Sequence, residues 1–208
     1  MRIVLATSNR GKAEEIKRIL EPLGFEILIP EDKVPVEEKG NTFLENALIK
    51  ARAYFDRFKV PALADDSGLE VRALGGYPGV FSSRFHAIEF GGVERVEGSE
   101  DEANIKKLLR LMKGKKDREA KFVCWVVLYT GEGGVFSYGE CRGIIAEGPR
   151  GTGGFGYDPV FIPEGLSRTM AEIGPEEKDS ISHRGKALRN LIGTLKSLEN
   201  IFLDRKGR

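Results

Sequence analysis

The stretch from Met1 to Ile29 constrains the fold more than any other. Arg2 to Ala6 is a short apolar run, Ala13 to Leu23 carries Ile16, Ile19, Leu20 and Leu23 at helical spacing, and Phe25 to Ile29 is apolar again. A strand, a tight turn, a helix and a second strand accommodate that switch of period, since side chains repeat every 3.6 residues on a helix and every 2 on a strand. Gly24 sits where the helix must stop, because glycine enters the left-handed region without steric cost. The chain therefore begins as an α/β unit.

The remainder extends that unit. Pro30 to Gly40 is an acidic, proline-bearing loop. Thr42 to Phe58 reads as a helix, with Thr42 and Glu45 in capping-box spacing. Pro61 to Ala64 starts a buried strand that the turn-forming Asp65-Asp66-Ser67-Gly68 should break, and Leu69 to Leu74 continues extended. Gly75 to Gly98 is Gly-rich and irregular, and Ser99 to Met112 is a helix with Ser99 and Glu102 as its cap pair. Two long strands follow, Ala120 to Thr130 and Val135 to Glu147, joined by Gly131-Glu132-Gly133-Gly134. After Gly148 to Tyr157 come a short strand, Asp158 to Pro163, and a last helix, Ser182 to Phe202. The sum is an α/β fold with a mixed sheet, long antiparallel strands and flanking helices.

Charge is balanced, 33 basic against 32 acidic residues in 208, so a long polyanion such as nucleic acid is not an expected partner. The longest apolar runs, such as Phe122 to Tyr129, are far too short to span a bilayer. The chain enters a strand at once, without a signal peptide, so a soluble cytoplasmic protein is expected. The absence of Gln and the 31% of charged residues resemble hyperthermophile composition. Cys124 and Cys141 would face each other if Thr130 paired with Val135. A cross-strand disulfide is then open, although two small buried hydrophobes are the favoured reading.

Five segments could carry chemistry. Thr7-Ser8-Asn9-Arg10-Gly11-Lys12 opens a helix after a strand, where backbone amides and a Lys suit phosphate. An ordinary N-cap explains it equally well. Asp65-Asp66 is a carboxylate pair suited to a hard cation, with the two side chains pointing oppositely along a strand. Glu37-Glu38 is a solvated charge run unless it supplies a distant ligand to the same metal. Gly151 to Pro159 combines glycines with Phe155, which could stack on a base, and Asp158, which could accept from base N–H groups. A glycine turn with core aromatics is the plainer alternative. Lys178, Ser182, His183, Arg184 and Lys186 gather cations at a helix start. His86 reads as a surface residue, and no nucleophilic Ser or Cys stands out, so attack by a metal-assisted water is the natural chemistry.

Taken in order, Thr7-Ser8-Asn9…Lys12, Thr42-Phe43…Glu45-Asn46-Ala47…Lys50-Ala51, Ala64 to Leu69, Gly151 to Pro159 and Ser182-His183-Arg184-Gly185 resemble the inosine triphosphate pyrophosphatase family. The resemblance covers essentially the whole chain. It implies one elongated, two-lobed domain over 1–208, with the active site in the cleft between lobes, and a homodimer. It implies Mg²⁺-dependent hydrolysis of ITP, dITP and XTP to monophosphate and pyrophosphate. By that likeness Thr7, Ser8, Asn9 and Lys12 hold the phosphates with Lys50 nearby. Asp66 is the general base, and Glu38 with Asp66 or Asp65 holds Mg²⁺. Ser67 touches the substrate, and Phe155, Gly156, Tyr157, Asp158, Lys178, His183 and Arg184 bind base and sugar-phosphate. A less selective triphosphatase, an enzyme for modified pyrimidines and a non-enzymatic nucleotide sensor are the rival readings.

Overall fold

The computed structural model describes the backbone of residues 1–31 and 34–206, and side chains as far as residue 198. Two residues of the expected acidic loop, 32 and 33, lie outside it. Six strands, β1 (Arg2–Leu5), β2 (Glu26–Leu28), β3 (Ala62–Val71), β4 (Glu119–Tyr129), β5 (Gly134–Ile145) and β6 (Phe161–Pro163), form one sheet in the order β2-β1-β3-β4-β5-β6. β1 runs parallel to β2 and β3, pairing Ile3 with Ile27 and Val4 with Ala62. β5 and β6 are antiparallel. The helices are α1 (Arg10–Leu20), α2 (Phe43–Phe58), α3 (Glu100–Met112), α4 (Pro175–Ile181) and α5 (His183–Lys206). The fold is the mixed α/β architecture expected.

The chain divides into two compact units. The first comprises Met1–Asp66, Cys124–Gly139 and His183–Arg208, the second Ser67–Val123 and Glu140–Ser182. In the first, Ile3, Leu5, Ala13, Ile16 and Leu20 pack with Leu63, Val126, Ala187 and Leu191. A neighbouring cluster sets Val4 and Ala6 against Ala47, Ala51 and Tyr54 of α2. The second unit is built on Leu69, Val71, Phe85, Leu108, Met112, Phe122, Val160 and Phe161.

Local chemistry explains most element boundaries. α1 stops at Leu20 because Pro22, in the 3₁₀ turn Glu21–Leu23, cannot donate to a carbonyl one turn back. Leu23, expected on the buried stripe, is therefore off the helix and exposed. α2 and α3 start at complete capping boxes, Thr42 with Glu45 and Ser99 with Glu102, as their spacing requires. Pro175 begins α4, an element the sequence reading did not anticipate. The segment Asp158–Val160, expected to be strand, is a 3₁₀ turn closed by Val160 N–H on the Tyr157 carbonyl and Phe161 N–H on the Asp158 carbonyl.

Asp65-Asp66-Ser67-Gly68 is no turn, and β3 passes through it unbroken. Its acidic side chains are partnered by other elements, which removes their local competition with the ladder. The β4–β5 turn closes with Thr130 N–H on the Gly133 carbonyl at 2.9 Å, tighter than a Thr130–Val135 pairing. Both cysteines are free and buried, in different apolar clusters. Among the described residues no helix is long and apolar enough to cross a membrane.

Candidate active site

Within the first unit, β1 delivers the chain to Thr7-Ser8-Asn9, and α1 begins immediately. Asn9 is the N-cap, with its Oδ1 accepting from Lys12 N–H at 3.0 Å and Thr7 Oγ1 accepting from Asn9 N–H at 3.2 Å. Ser8 and Asn9 are exposed, so the positive end of α1 opens to solvent at this loop. The N-cap and the phosphate readings are thus compatible. Lys12 turns inward, its Nζ 3.0 Å from Asp65 Oδ2.

Asp65 and Asp66 project to opposite sides of β3, as alternation on a strand demands. Asp65 is 1% exposed. Its Oδ2 accepts from Arg184 Nε at 3.2 Å and Nη2 at 3.0 Å, and from the Cys124 thiol at 3.8 Å. Arg184 Nη1 also donates to Glu15 Oε2, closing a buried Lys12–Asp65–Arg184–Glu15 chain. Burial alone would raise the Asp65 pKa, but Lys12, Arg184 and Lys50 outweigh it and hold the carboxyl far below its ordinary range. Its other oxygen, Oδ1, is buried and has no hydrogen-bond partner among the described residues.

Asp66 faces α2. Asn46 Nδ2 donates to its Oδ2 at 3.1 Å, and Lys50 Nζ lies 3.5 Å from Oδ1. The same Lys50 Nζ is 3.2 Å from Glu38 Oε2, so Glu38 and Asp66 share one cation. Burial, aided by the Glu38 charge, outweighs Lys50, Lys12 and Asn46 and raises the Asp66 pKa above the usual carboxylate value. Burial would lower Lys50, but Asp66, Asp65 and Glu38 hold its ammonium above the ordinary value. Two adjacent carboxyls are thereby driven in opposite directions, the pattern by which a protein assigns one a fixed charge and the other proton chemistry.

Within the second unit, Asp158 organises the glycine loop. Its Oδ2 accepts from Phe155 N–H at 2.9 Å and from Lys178 Nζ at 2.5 Å. The Lys178 ammonium also lies 4.6 Å from the Phe155 ring centroid. Gly156 N–H donates to Asp101. Tyr157 is buried, its hydroxyl donating to the Ser82 carbonyl at 2.8 Å, so it supports the loop from inside. The glycines have a packing reason: a Cβ on Gly151 would come 2.5 Å from Ala171 C, and one on Gly154 2.0 Å from Asp158 Oδ2. Ser67 follows Asp66 in β3 and is half-buried.

His183 and Arg184 open α5 but are buried, and Arg184 spends its charge on Asp65 and Glu15 rather than offering it to an anion at the helix start. His86, expected at the surface, is half-buried, its ring Nδ1 lying 3.1 Å from Asn104 Oδ1. Sequence reasoning missed Glu15, whose signal was an acid beside Ile16 on the apolar side of α1. It also left Asn46 without a role. Among the described residues no group of three or more His, Cys, Asp and Glu side chains is disposed to cage a metal. A cavity of about 710 Å³ in the second unit contains none of the expected site residues, and its Arg72, Lys121 and Arg142 are ion-paired with neighbouring acids.

The profile of the Ham1 family matches residues 3–194. The chain is similar to the dITP/XTP pyrophosphatase of Aquifex aeolicus, 59% identical over 202 residues, covering 97% of this chain and 100% of that one. It is 48% identical over 200 residues to the dITP/XTP pyrophosphatase of Thermus thermophilus, covering 94% and 92% of the two chains. Among solved structures, a HAM1 protein from Coxiella burnetii superposes with a TM-score of 0.81 at 41% identity, covering 95% of this chain and 99% of that one. The Staphylococcus aureus Ham1 protein gives 0.78 at 37% identity, with the same coverage of 95% and 99%.

Proposed function

The chain belongs to the Ham1 family, and on that premise we propose that it hydrolyses the deaminated purine nucleotides dITP, ITP and XTP to monophosphate and pyrophosphate, as one domain over 1–208. It is a nucleoside triphosphate pyrophosphatase. The observation that carries the chemistry is the divergence of Asp65 and Asp66, one clamped as an anion by Lys12 and Arg184, the other held at a raised pKa beside Glu38.

Glu38 and Asp66 fit a Mg²⁺ ion, because both already converge on one cationic group and hard oxygen donors suit it. When bound, that ion supplies charge neutralisation for the triphosphate. The exposed amides at the start of α1, with Thr7, Ser8 and Asn9, receive phosphate oxygens, and Lys12 and Lys50 add positive charge. Asp66 takes a proton from the water whose oxygen attacks the α-phosphorus. The bond from that phosphorus to the bridging oxygen breaks, and pyrophosphate leaves with the electron pair. Asp65 itself stays charged throughout and holds Lys12 in place.

Within the second unit Phe155 stacks on the base, with Gly156, Asp158 and Lys178 shaping that region and Tyr157 supporting it; within the first, Arg184 acts through Asp65, and His183 opens the same helix. Ser67 touches the substrate. Donors aimed at the hypoxanthine or xanthine carbonyl meet the amino group of adenine instead, and each unmade buried hydrogen bond costs about 1–3 kcal/mol. A homodimer and a cytoplasmic location belong to the same proposal. The test is a turnover panel of ITP, XTP, ATP, GTP and dUTP with and without Mg²⁺, resolving pyrophosphate from orthophosphate by ion exchange. Pyrophosphate from ITP and XTP, with ATP and GTP nearly untouched, is expected. Orthophosphate, or equal rates on all five, overturns the reading.

A further inference from the structure

Asn46 is 1% exposed and lies in the first turns of α2, four residues after the cap at Thr42. Both ends of its amide are committed. Nδ2 donates to Asp66 Oδ2 at 3.1 Å, and Oδ1 accepts the backbone N–H of Gly40 at 2.8 Å. One short side chain therefore ties the strand that carries Asp66 to the loop that carries Glu38. A buried amide satisfied at both ends is held in one orientation, since turning it would set donor against donor and acceptor against acceptor. The loop is fitted to this contact: a Cβ on Gly40 would come 2.6 Å from Asn46 Oδ1 and 2.7 Å from Glu45 Cβ. The cap of α2 secures the loop a second time, through Glu45 Oε2, which accepts from Asn41 N–H at 2.7 Å and Thr42 N–H at 3.1 Å.

We infer that Asn46 is a positioning residue for the divalent cation: it sets the separation of the Glu38 and Asp66 carboxylates, which Lys50, one turn further along α2, bridges. The inference rests on the proposed Mg²⁺-dependent reading and deepens it. Groups that orient metal ligands without touching the metal typically account for about 10–100-fold in affinity or rate. A packing role alone would lower the melting temperature and leave the affinity of the folded protein for the cation unchanged.

The experiment uses Asn46→Leu, which keeps the volume and removes both hydrogen bonds, with Gly40→Ala as a second variant that strains the loop where it meets Asn46 and Glu45. Binding of Mn²⁺ alone is followed by the electron paramagnetic resonance of the free ion, beside the Mg²⁺ concentration for half-maximal ITP turnover and the melting temperature. Folded Asn46→Leu should bind Mn²⁺ about 10–100-fold more weakly, need correspondingly more Mg²⁺, and regain part of its kcat at high Mg²⁺. Gly40→Ala should shift both in the same direction by less. Unchanged Mn²⁺ binding in either folded variant, with only stability lowered, overturns the inference and leaves the wider reading standing. Failure of the wild-type protein to bind Mn²⁺, or Mg²⁺-independent turnover by it, overturns both. If Asn46→Leu does not fold, Gly40→Ala alone decides.

Discussion

Arg184 Nη2 donates to Asp65 Oδ2 at 3.0 Å, joining residues 119 positions apart in a contact where both side chains are 1% exposed. Glu15 completes the arrangement on the far side of the guanidinium. Removing one partner strands an uncompensated charge, so Asp65→Asn should destabilise the fold by about 3–5 kcal/mol in urea unfolding. The sign with pH follows. The folded Asp65 pKa lies far below the unfolded value of 3.8, so its contribution is complete above about pH 5 and is lost progressively as the solution is acidified. The acid limb of the stability curve should flatten in Asp65→Asn, and identical limbs in the two proteins would refute the assignment.

Asp66 should behave oppositely. Its folded pKa lies above the unfolded one, so the folded state binds the proton more tightly and ionisation at neutral pH costs stability. Asp66→Asn should therefore melt no lower than the wild type at pH 7 in EDTA, while turnover of ITP falls about 10²–10⁴-fold. A large loss of stability, or retained activity, would remove Asp66 from the role of base.

Gly139 admits the start of α5 against β5. A Cβ there would stand 2.2 Å from the His183 carbonyl oxygen and 2.4 Å from Ala187 N. Backbone cannot yield as a flexible side chain does, so Gly139→Ala should cost about 1–3 kcal/mol. Activity should drop as well, since Arg184 moves with its helix. A variant with wild-type melting temperature and kinetics would contradict this packing.

Cys124 is fully buried, and burial together with the neighbouring Asp65 pushes its thiol well above the ordinary range. Cys141 is also free and buried. Iodoacetamide should leave both unmodified in the native protein and label both in urea without prior reduction. Mass spectrometry showing a bridge, or rapid native labelling of Cys124, would count against the geometry.

Much of this site could be read along the chain, because its signals act between near neighbours. The cap at Thr42 needs only Glu45, three residues on. The opposite projection of Asp65 and Asp66 needs only that the segment be a strand. The same locality produced the errors. Asp65-Asp66-Ser67-Gly68 has turn composition, and nothing nearby reveals that Arg184 and Asn46 will take up its side chains. Ser182-His183-Arg184 resembles an exposed cationic helix start, yet Arg184 meets acids 119 and 169 positions away.

The sequence by itself determined the α/β pattern, the capped helices, the glycine-dependent loop and the inventory of phosphate, carboxylate and cationic groups, all properties of residue type and short-range spacing. Only the tertiary structure decided which carboxylate is neutralised by buried cations and which is left to titrate, that Glu15 turns inward, and that Asn46 links two segments of the site. Charge compensation in a low-dielectric interior depends on distances of a few ångströms between residues far apart in the chain, and those distances exist only once the sheet and helices have packed.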